Sequence, residues 1–175
     1  NNSQVNDTGT GSFALRGNLT LTRPNTALIW EVGTKENITW TRKGSIATVA
    51  ISYSNDSTNW IPIESSVNAS NLTYEWNITA DKPLSYQQGL IKIADSSPAG
   101  QPTNDTSDVP FTLRGRLNLT YPTNSGLNFT YDGGTSTMSI TWDKSGLIKK
   151  VWLKYSTNNG TNYPNNITRN NTTSA

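Results

Sequence analysis

FALRGNLTLTRP, running from Phe13 to Pro24, returns as FTLRGRLNLTYP from Phe111 to Pro122, at an offset of 98 residues. Outward from this pair the matches continue in the same order. NITW (Asn37 to Trp40) returns as SITW (Ser139 to Trp142), and GSIATVAISYS (Gly44 to Ser54) as GLIKKVWLKYS (Gly146 to Ser156), both at an offset of 102. Trp60 answers to Tyr163 at 103. The offset grows only where the residues favour turns, as it does when loops lengthen and strands keep their register. Self-similarity at a fixed period is the mark of a repeat architecture, in which each copy is one structural unit.

The repeat divides the chain. Residues 1–17, ending SFALRG, resemble Asp105 to Gly115, ending PFTLRG, and so read as the closing strand of a preceding repeat or as a donor strand. Residues 18–115 form one complete repeat. Residues 116–175 form an incomplete second one, because nothing in them matches LTYEWNI (Leu72 to Ile78) or GLIKIADSS (Gly89 to Ser97). Two arrangements follow from the sequence. Either the chain is a window on a longer array, or it is a subunit whose open sandwich is finished by residues 8–17 of another copy, with Phe13 and Leu15 inserted beside its edge.

Within the repeat, short segments alternate apolar and polar residues between clusters of Gly, Pro, Asn, Asp and Ser, the pattern of half-buried strands. Leu19 and Leu21 share one face. Ile38 and Trp40, then Val49, Ile51 and Tyr53, then Tyr74, Trp76 and Ile78 do the same, followed by Ile91 with Ile93 and Phe111 with Leu113. Ala27 to Val32 adds a further strand. About seven strands in roughly 100 residues predict an all-β chain of tandem immunoglobulin/fibronectin-III-like antiparallel β-sandwiches. Trp40 and Trp142 are expected to be equivalent core residues, as are Tyr53 and Tyr155.

Composition excludes much of chemistry. The 175 residues hold no cysteine and no histidine, so disulfides, thiolate nucleophiles, Cys/His zinc sites and His-based triads are absent. Twelve carboxylates form no catalytic spacing, and the chain reads as non-enzymatic with no cofactor. Asp56, Asp105 and Asp108 could hold Ca²⁺ in a loop, but a turn-capping role suits them better. Asp132-Gly133-Gly134 is a turn without the helix or lysine of a phosphate loop. A net charge of +2 with scattered Lys and Arg gives no stripe to neutralise phosphates, so nucleic acid is not an expected partner. No apolar run approaches the ~20 residues that span a bilayer.

Asparagine carries the strongest surface signal. Asn-X-Ser/Thr sequons begin at Asn6, Asn18, Asn37, Asn55, Asn68, Asn71, Asn77, Asn104, Asn118, Asn128, Asn159 and Asn166, with three more at Asn1, Asn170 and Asn171. None has proline in the middle position. Asn18, Asn37, Asn77 and Asn118 lie on the polar parity of their strands, where a glycan would project into water, so N-linked glycans are expected. Trp152 stands between inward Val151 and Leu153, which turns it outward where the first repeat has Ala50. It could stack on a sugar, anchor a protein contact, or lie partly under the Lys150 and Lys154 stems.

The order of Val32-Gly33-Thr34, Ile38-Thr39-Trp40 and Tyr155 to Tyr163 resembles the immunoglobulin-like repeats of very large bacterial surface proteins. It is similar also to the amino-terminal domain of the fungal Ser/Thr-rich, GPI-anchored cell-wall family associated with β-glucan assembly. These likenesses imply surface display, adhesion or wall architecture and bring no catalytic residues. The expected protein is an extracellular, cell-surface structural repeat of a filament, stalk or sheath. Its partners would be other copies of itself joined head to tail, or further repeats of a longer chain. A carbohydrate-binding or adhesive module is the second expectation.

Overall fold

The computed structural model describes residues 8–11, 15–97, 103–124, 126–128 and 137–167, together with the backbone of 172–173. Asn6, Phe13 and the sequons at Asn1, Asn170 and Asn171 lie outside the described residues, as does the turn at Asp132. Among the described residues no helix is long and apolar enough to cross a membrane.

Nine strands build the first sandwich: β1 (Asn18–Arg23), β2 (Ile29–Glu31), β3 (Lys35–Lys43), β4 (Thr48–Ser54), β5 (Ile61–Asn68), β6 (Thr73–Asn77), β7 (Ser85–Asp95), β8 (Asn104–Thr106) and β9 (Phe111–Arg114). One sheet has the order β1-β3-β6, the other β2-β9-β7-β4-β5, and β8 also pairs with β7. All pairings in the sandwich are antiparallel except β2 with β9, which run parallel. This is an all-β sandwich, a three-stranded sheet packed on a larger one. The strand count exceeds seven for two reasons. The closing strand is split into β8 and β9, and the segment after Trp60, not expected as a strand, pairs with β4 as β5.

Strand alternation is the cause of the core. Leu19, Leu21, Ile38, Trp40, Trp76 and Ile78 face inward from the first sheet; Val49, Ile51, Tyr53, Ile91, Ile93, Phe111 and Leu113 face them from the second. Four aromatic rings close a circuit between the sheets. Trp30 meets Trp76 edge-on at 6.0 Å and Phe111 at 4.6 Å, while Tyr53 lies 5.3 Å from Trp76 and 5.9 Å from Phe111. Trp40 is also buried, and its indole Nε1 donates to Ala69 O at 3.1 Å in the 3₁₀ turn Ala69–Asn71. Trp40 therefore ties a connection to the core, and the aromatic centre belongs to Trp30 and Trp76.

The second repeat copies the first in register. In β10 (Arg116–Tyr121) and β11 (Thr141–Ser145), Leu119 sits opposite Trp142 as Leu21 sits opposite Trp40. A register shift follows in both, and Arg23-Pro24 and Tyr121-Pro122 are both cis. Thr22 and Thr39 share a hydroxyl hydrogen bond of 2.7 Å, and so do Thr120 and Thr141. Beyond this pair, among the described residues of the second repeat, only two-residue ladders form: β12 (Lys150–Val151) with β15 (Thr172–Thr173), and β13 (Lys154–Tyr155) with β14 (Asn165–Asn166).

Burial does not follow the copy. Tyr53 is 0% exposed, but its counterpart Tyr155 is 49% exposed; Trp142 is half-buried, and Leu117 and Leu119 face solvent. The expectation that Trp142 and Tyr155 are core residues equivalent to Trp40 and Tyr53 is thus corrected. Trp40 is covered by the facing sheet that includes β7 and β9, and Tyr53 by Trp76 of the three-stranded sheet; among the described residues of the second repeat no strand takes the places of β6, β7 and β9.

Two consequences can be measured. Trp40→Ala should destabilise the first sandwich by about 3–5 kcal/mol, the usual cost of emptying a large aromatic site. Trp142→Ala, at a half-open position, should cost about 1 kcal/mol or less. Urea unfolding followed by circular dichroism separates the two. The second consequence concerns alkaline pH. Burial pushes the Tyr53 hydroxyl up to about 12, against 10.0 ordinarily, and it donates to Pro83 O at 2.9 Å. The folded state holds this proton more tightly than the unfolded one. Stability from this group is complete below pH 10 and is lost as pH rises from there towards 12. Tyr53→Phe should lose about 1 kcal/mol at neutral pH through the missing hydrogen bond and show a weaker alkaline decline in thermal melts.

Candidate glycosylation and association surfaces

The sequon asparagines are placed by the same alternation that builds the core. Asn18 in β1, Asn37 in β3 and Asn77 in β6 all lie exposed on the outer face of the three-stranded sheet. Asn37 faces Glu75 and Asn77 faces Lys35 across β3 and β6, which makes Asn37 and Asn77 diagonal neighbours. At Asn18 the sequon hydroxyl of Thr20 donates to the asparagine Oδ1 at 3.2 Å. Asn118 lies on β10 at the position that Thr20 takes on β1, on the same face as Asn18's counterpart Arg116, and is exposed. Among the described residues the larger sheet carries strand sequons at Asn68, the end of β5, and Asn104, the start of β8. Asn68, Asn71, Asn128, Asn159 and Asn166 are exposed at turns or strand ends.

Asn55 differs from the rest. It is half-buried in the turn after β4, and its sequon Ser57 has a positive φ of 64° and donates to Gln88 O at 3.2 Å. The neighbouring Asp56 organises this turn. Its carboxylate accepts from Asn59 Nδ2 at 2.7 Å and from the amides of Asn59 and Thr58 at 2.7 and 2.9 Å. Those donors, the Asn59 side chain first, hold the Asp56 carboxyl well below the usual carboxylate range. The second repeat builds the turn with Asn158, whose side-chain Oδ1 accepts from Ser156 Oγ just as Asp56 Oδ1 accepts from Ser54 Oγ.

The other acids named from sequence also brace the backbone. Asp105 Oδ2 accepts from the Leu21 amide at 2.7 Å, which fastens β8 to β1 across the gap between sheets. Asp108 and Asn25 exchange two hydrogen bonds, Asn25 Nδ2 to Asp108 Oδ2 and the Asp108 amide to Asn25 Oδ1. Among the described residues no group of three or more acidic side chains is placed to hold a metal ion.

The apolar surface is uneven. Leu15 is 87% exposed, whereas Leu113, in the same LRG context, is 0% exposed between strands of the sandwich. Trp152, immediately after β12, is 70% exposed, while its neighbour Val151 is buried. On the second repeat, Ile140, Thr141, Trp142 and Lys144 line a groove of about 230 Å³. Trp60, by contrast, is half-covered by Lys92, whose Nζ stands 4.3 Å over its ring. The sequence pattern located Leu15 and Trp152, but the roles of Asp105 and Asp108 depend on partners more than 80 residues away, at Leu21 and Asn25.

No protein-family model and no curated protein matches this chain. A solved structure described as fibronectin(III)-like modules of CbhA from Clostridium thermocellum is similar over 54% of this chain and 93% of that one, at 18% identity and a TM-score of 0.36. The likeness to the fungal wall family receives no support from these comparisons.

Intact glycopeptide mass spectrometry of native material should find glycans on Asn18, Asn37 and Asn77, with Asn55 the least occupied of the strand and turn sites. Bare asparagines at all three strand positions would end the case for a shielded face.

Proposed function

We propose that the chain is a non-enzymatic, N-glycosylated structural repeat of an extracellular surface filament, stalk or sheath, whose subunits join by strand donation. The observation that carries this reading is apolar surface exposed at two places among the described residues, at Leu15 and on the second repeat. Leu15 lies in a copy of the closing strand and is exposed where Leu113 is fully covered. The second repeat offers a groove at Ile140 and Trp142 and bare leucines at 117 and 119, where the first repeat has a covering sheet. An apolar sheet left open in this way aggregates or takes a partner.

Residues 8–17 of a neighbouring copy supply a strand of suitable sequence, with Phe13 and Leu15 as its inward pair. Such an addition is heterologous, so it propagates head to tail and does not close on itself. Glycans on the outer face of the three-stranded sheet would keep that face in water and leave the strand ends for contact between subunits. One donated strand does not rebuild a whole sheet, and residues beyond 163 would share in the closure.

A carbohydrate-binding or adhesive module is favoured by one observation, the exposed indole of Trp152, which has the shape and polarity of a sugar platform. The two readings separate on a variant lacking residues 1–17. Loss of filaments in electron micrographs, with the thermal melt of the first sandwich unchanged, is the expected result; normal filaments would refute strand donation. Trp152→Ala should leave assembly intact if Trp152 serves sugar binding.

A further inference from the structure

The two repeats are joined by a single residue. β9 ends at Arg114 and β10 begins at Arg116, so Gly115 alone lies between the strand that closes the first sandwich and the strand that opens the second repeat. A Cβ on Gly115 would stand 2.7 Å from Ser145 O and 2.7 Å from Ile148 Cγ1. The connection is therefore pressed against the turn that follows β11, and only glycine fits there. Relative motion is the default for domains on a linker. A hemmed connection with two soft dihedrals leaves little slack for it.

That turn rests in its own right on the first sandwich. Gly146 has a φ of 95°, and a Cβ there would meet Val32 Cγ2 at 3.0 Å, Gly115 Cα at 3.2 Å and Leu84 Cδ2 at 3.4 Å. Val32, just after β2, is fully buried, and Leu84, just before β7, is half-buried against the same core. Two aliphatic side chains of the first sandwich thus end on the backbone of the second repeat. The Val32 amide donates to Arg114 O at 3.0 Å, which fixes the exit from β9 beside this contact. Charge also spans the joint: Glu31 pairs with Arg114 across β2 and β9, and its other oxygen lies 3.7 Å from Arg116 Nε. At that separation and exposure the second pair adds little by itself, so packing carries the joint.

We infer that the first sandwich and the strand pair β10–β11 move as one body, with Gly146 the residue on which their fixed angle depends. Its bare Cα is the seat of Val32 and Leu84, and any side chain there would push the second repeat off the first. The inference concerns a single chain and holds whether or not chains assemble. In a stalk or filament it makes the boundary between repeats a stiff joint and not a flexible linker.

The sequence has no cysteine, so pairs of spin labels test it directly. Labels at Ser65→Cys and Asp143→Cys, both exposed strand positions, span the joint. Ser65→Cys with Thr41→Cys lies within the first sandwich and gives the width of a rigid pair. In the otherwise wild-type chain the joint-spanning distance distribution should be as narrow as that reference. Gly146→Asn keeps a residue that tolerates positive φ but fills the seat. Leu84→Ala empties the seat from the other side. Each should widen the joint-spanning distribution about twofold or more, as a packed contact gives way to linker-like freedom, and leave the reference pair unchanged. The two substitutions lie on opposite sides of the contact, so an effect shared by both belongs to the joint and not to the stability of one repeat. Gly44→Asn, at the matching turn of the first repeat with a φ of 82°, should leave the joint-spanning distance as it is. A wild-type distribution several times wider than the reference would overturn the inference, and so would one that neither Gly146→Asn nor Leu84→Ala alters. The measurement uses dilute, unassembled chain, so a failure to form filaments bears on the filament reading and not on this one.

Discussion

Four aromatic rings hold the two sheets together, and the positions of most other residues follow from that. Trp76 comes from the three-stranded sheet; Trp30, Tyr53 and Phe111 come from the larger one. Rings of this size bury much area and prefer tilted or edge-on contacts, so the circuit fixes both the separation and the relative angle of the sheets. Trp30 reaches it from a strand of three residues that lies parallel to β9. Its indole Nε1 is buried without a protein acceptor, a cost of about 1–3 kcal/mol that the ring contacts must offset. The guanidinium of Arg23 lies 5.7 Å over the same ring and closes it from outside.

Polar groups then finish what packing begins. Ser85 Oγ accepts from the Leu113 amide and Ser107 Oγ from the Ile91 amide, both buried, where the ladder of the larger sheet is interrupted. Asp105 and Asp108 serve the strand split between β8 and β9 by binding β1 and the Asn25 turn. Buried amides left unpaired would be expensive, and the side chains at these breaks satisfy them. A carboxylate in such a role is occupied by backbone and side-chain donors, which leaves it little capacity for a cation.

The outer surface divides along the same lines. Because β-strands alternate, residues opposite the core in β1, β3 and β6 share one outward face, and three of the strand sequons fall on it. The turns, by contrast, place Asn55 under a network of hydrogen bonds, so the same tripeptide differs in access according to its backbone. Ends of the sandwich carry the small residues. Glycines at 17, 44, 115 and 146 let chain segments approach to within about 3 Å of where a Cβ would stand, so that successive repeats can touch without a linker.

Repetition, strand parity and the inward set of the first sandwich were legible in the residues themselves, because a pleated strand presents every second side chain to one face whatever its neighbours are. Leu19 with Leu21, Ile38 with Trp40 and Phe111 with Leu113 needed no further information, and neither did the outward direction of Trp152. Burial required the fold. Trp40 and Trp142 occupy the same position in the same Ile-Thr-Trp context, yet only Trp40 is enclosed, since enclosure depends on strands that are remote in sequence and must come from the facing sheet. Trp30 is the matching case: nothing local marks it above Trp40, and it became the centre because β2 crosses from one sheet to the other. Asp105, legible only as an acid in a turn-rich segment, acquired its partner 84 residues away at Leu21. Local periodicity is a property of the chain, whereas the cover over a side chain and the partner of a hydrogen bond are properties of elements brought together by folding.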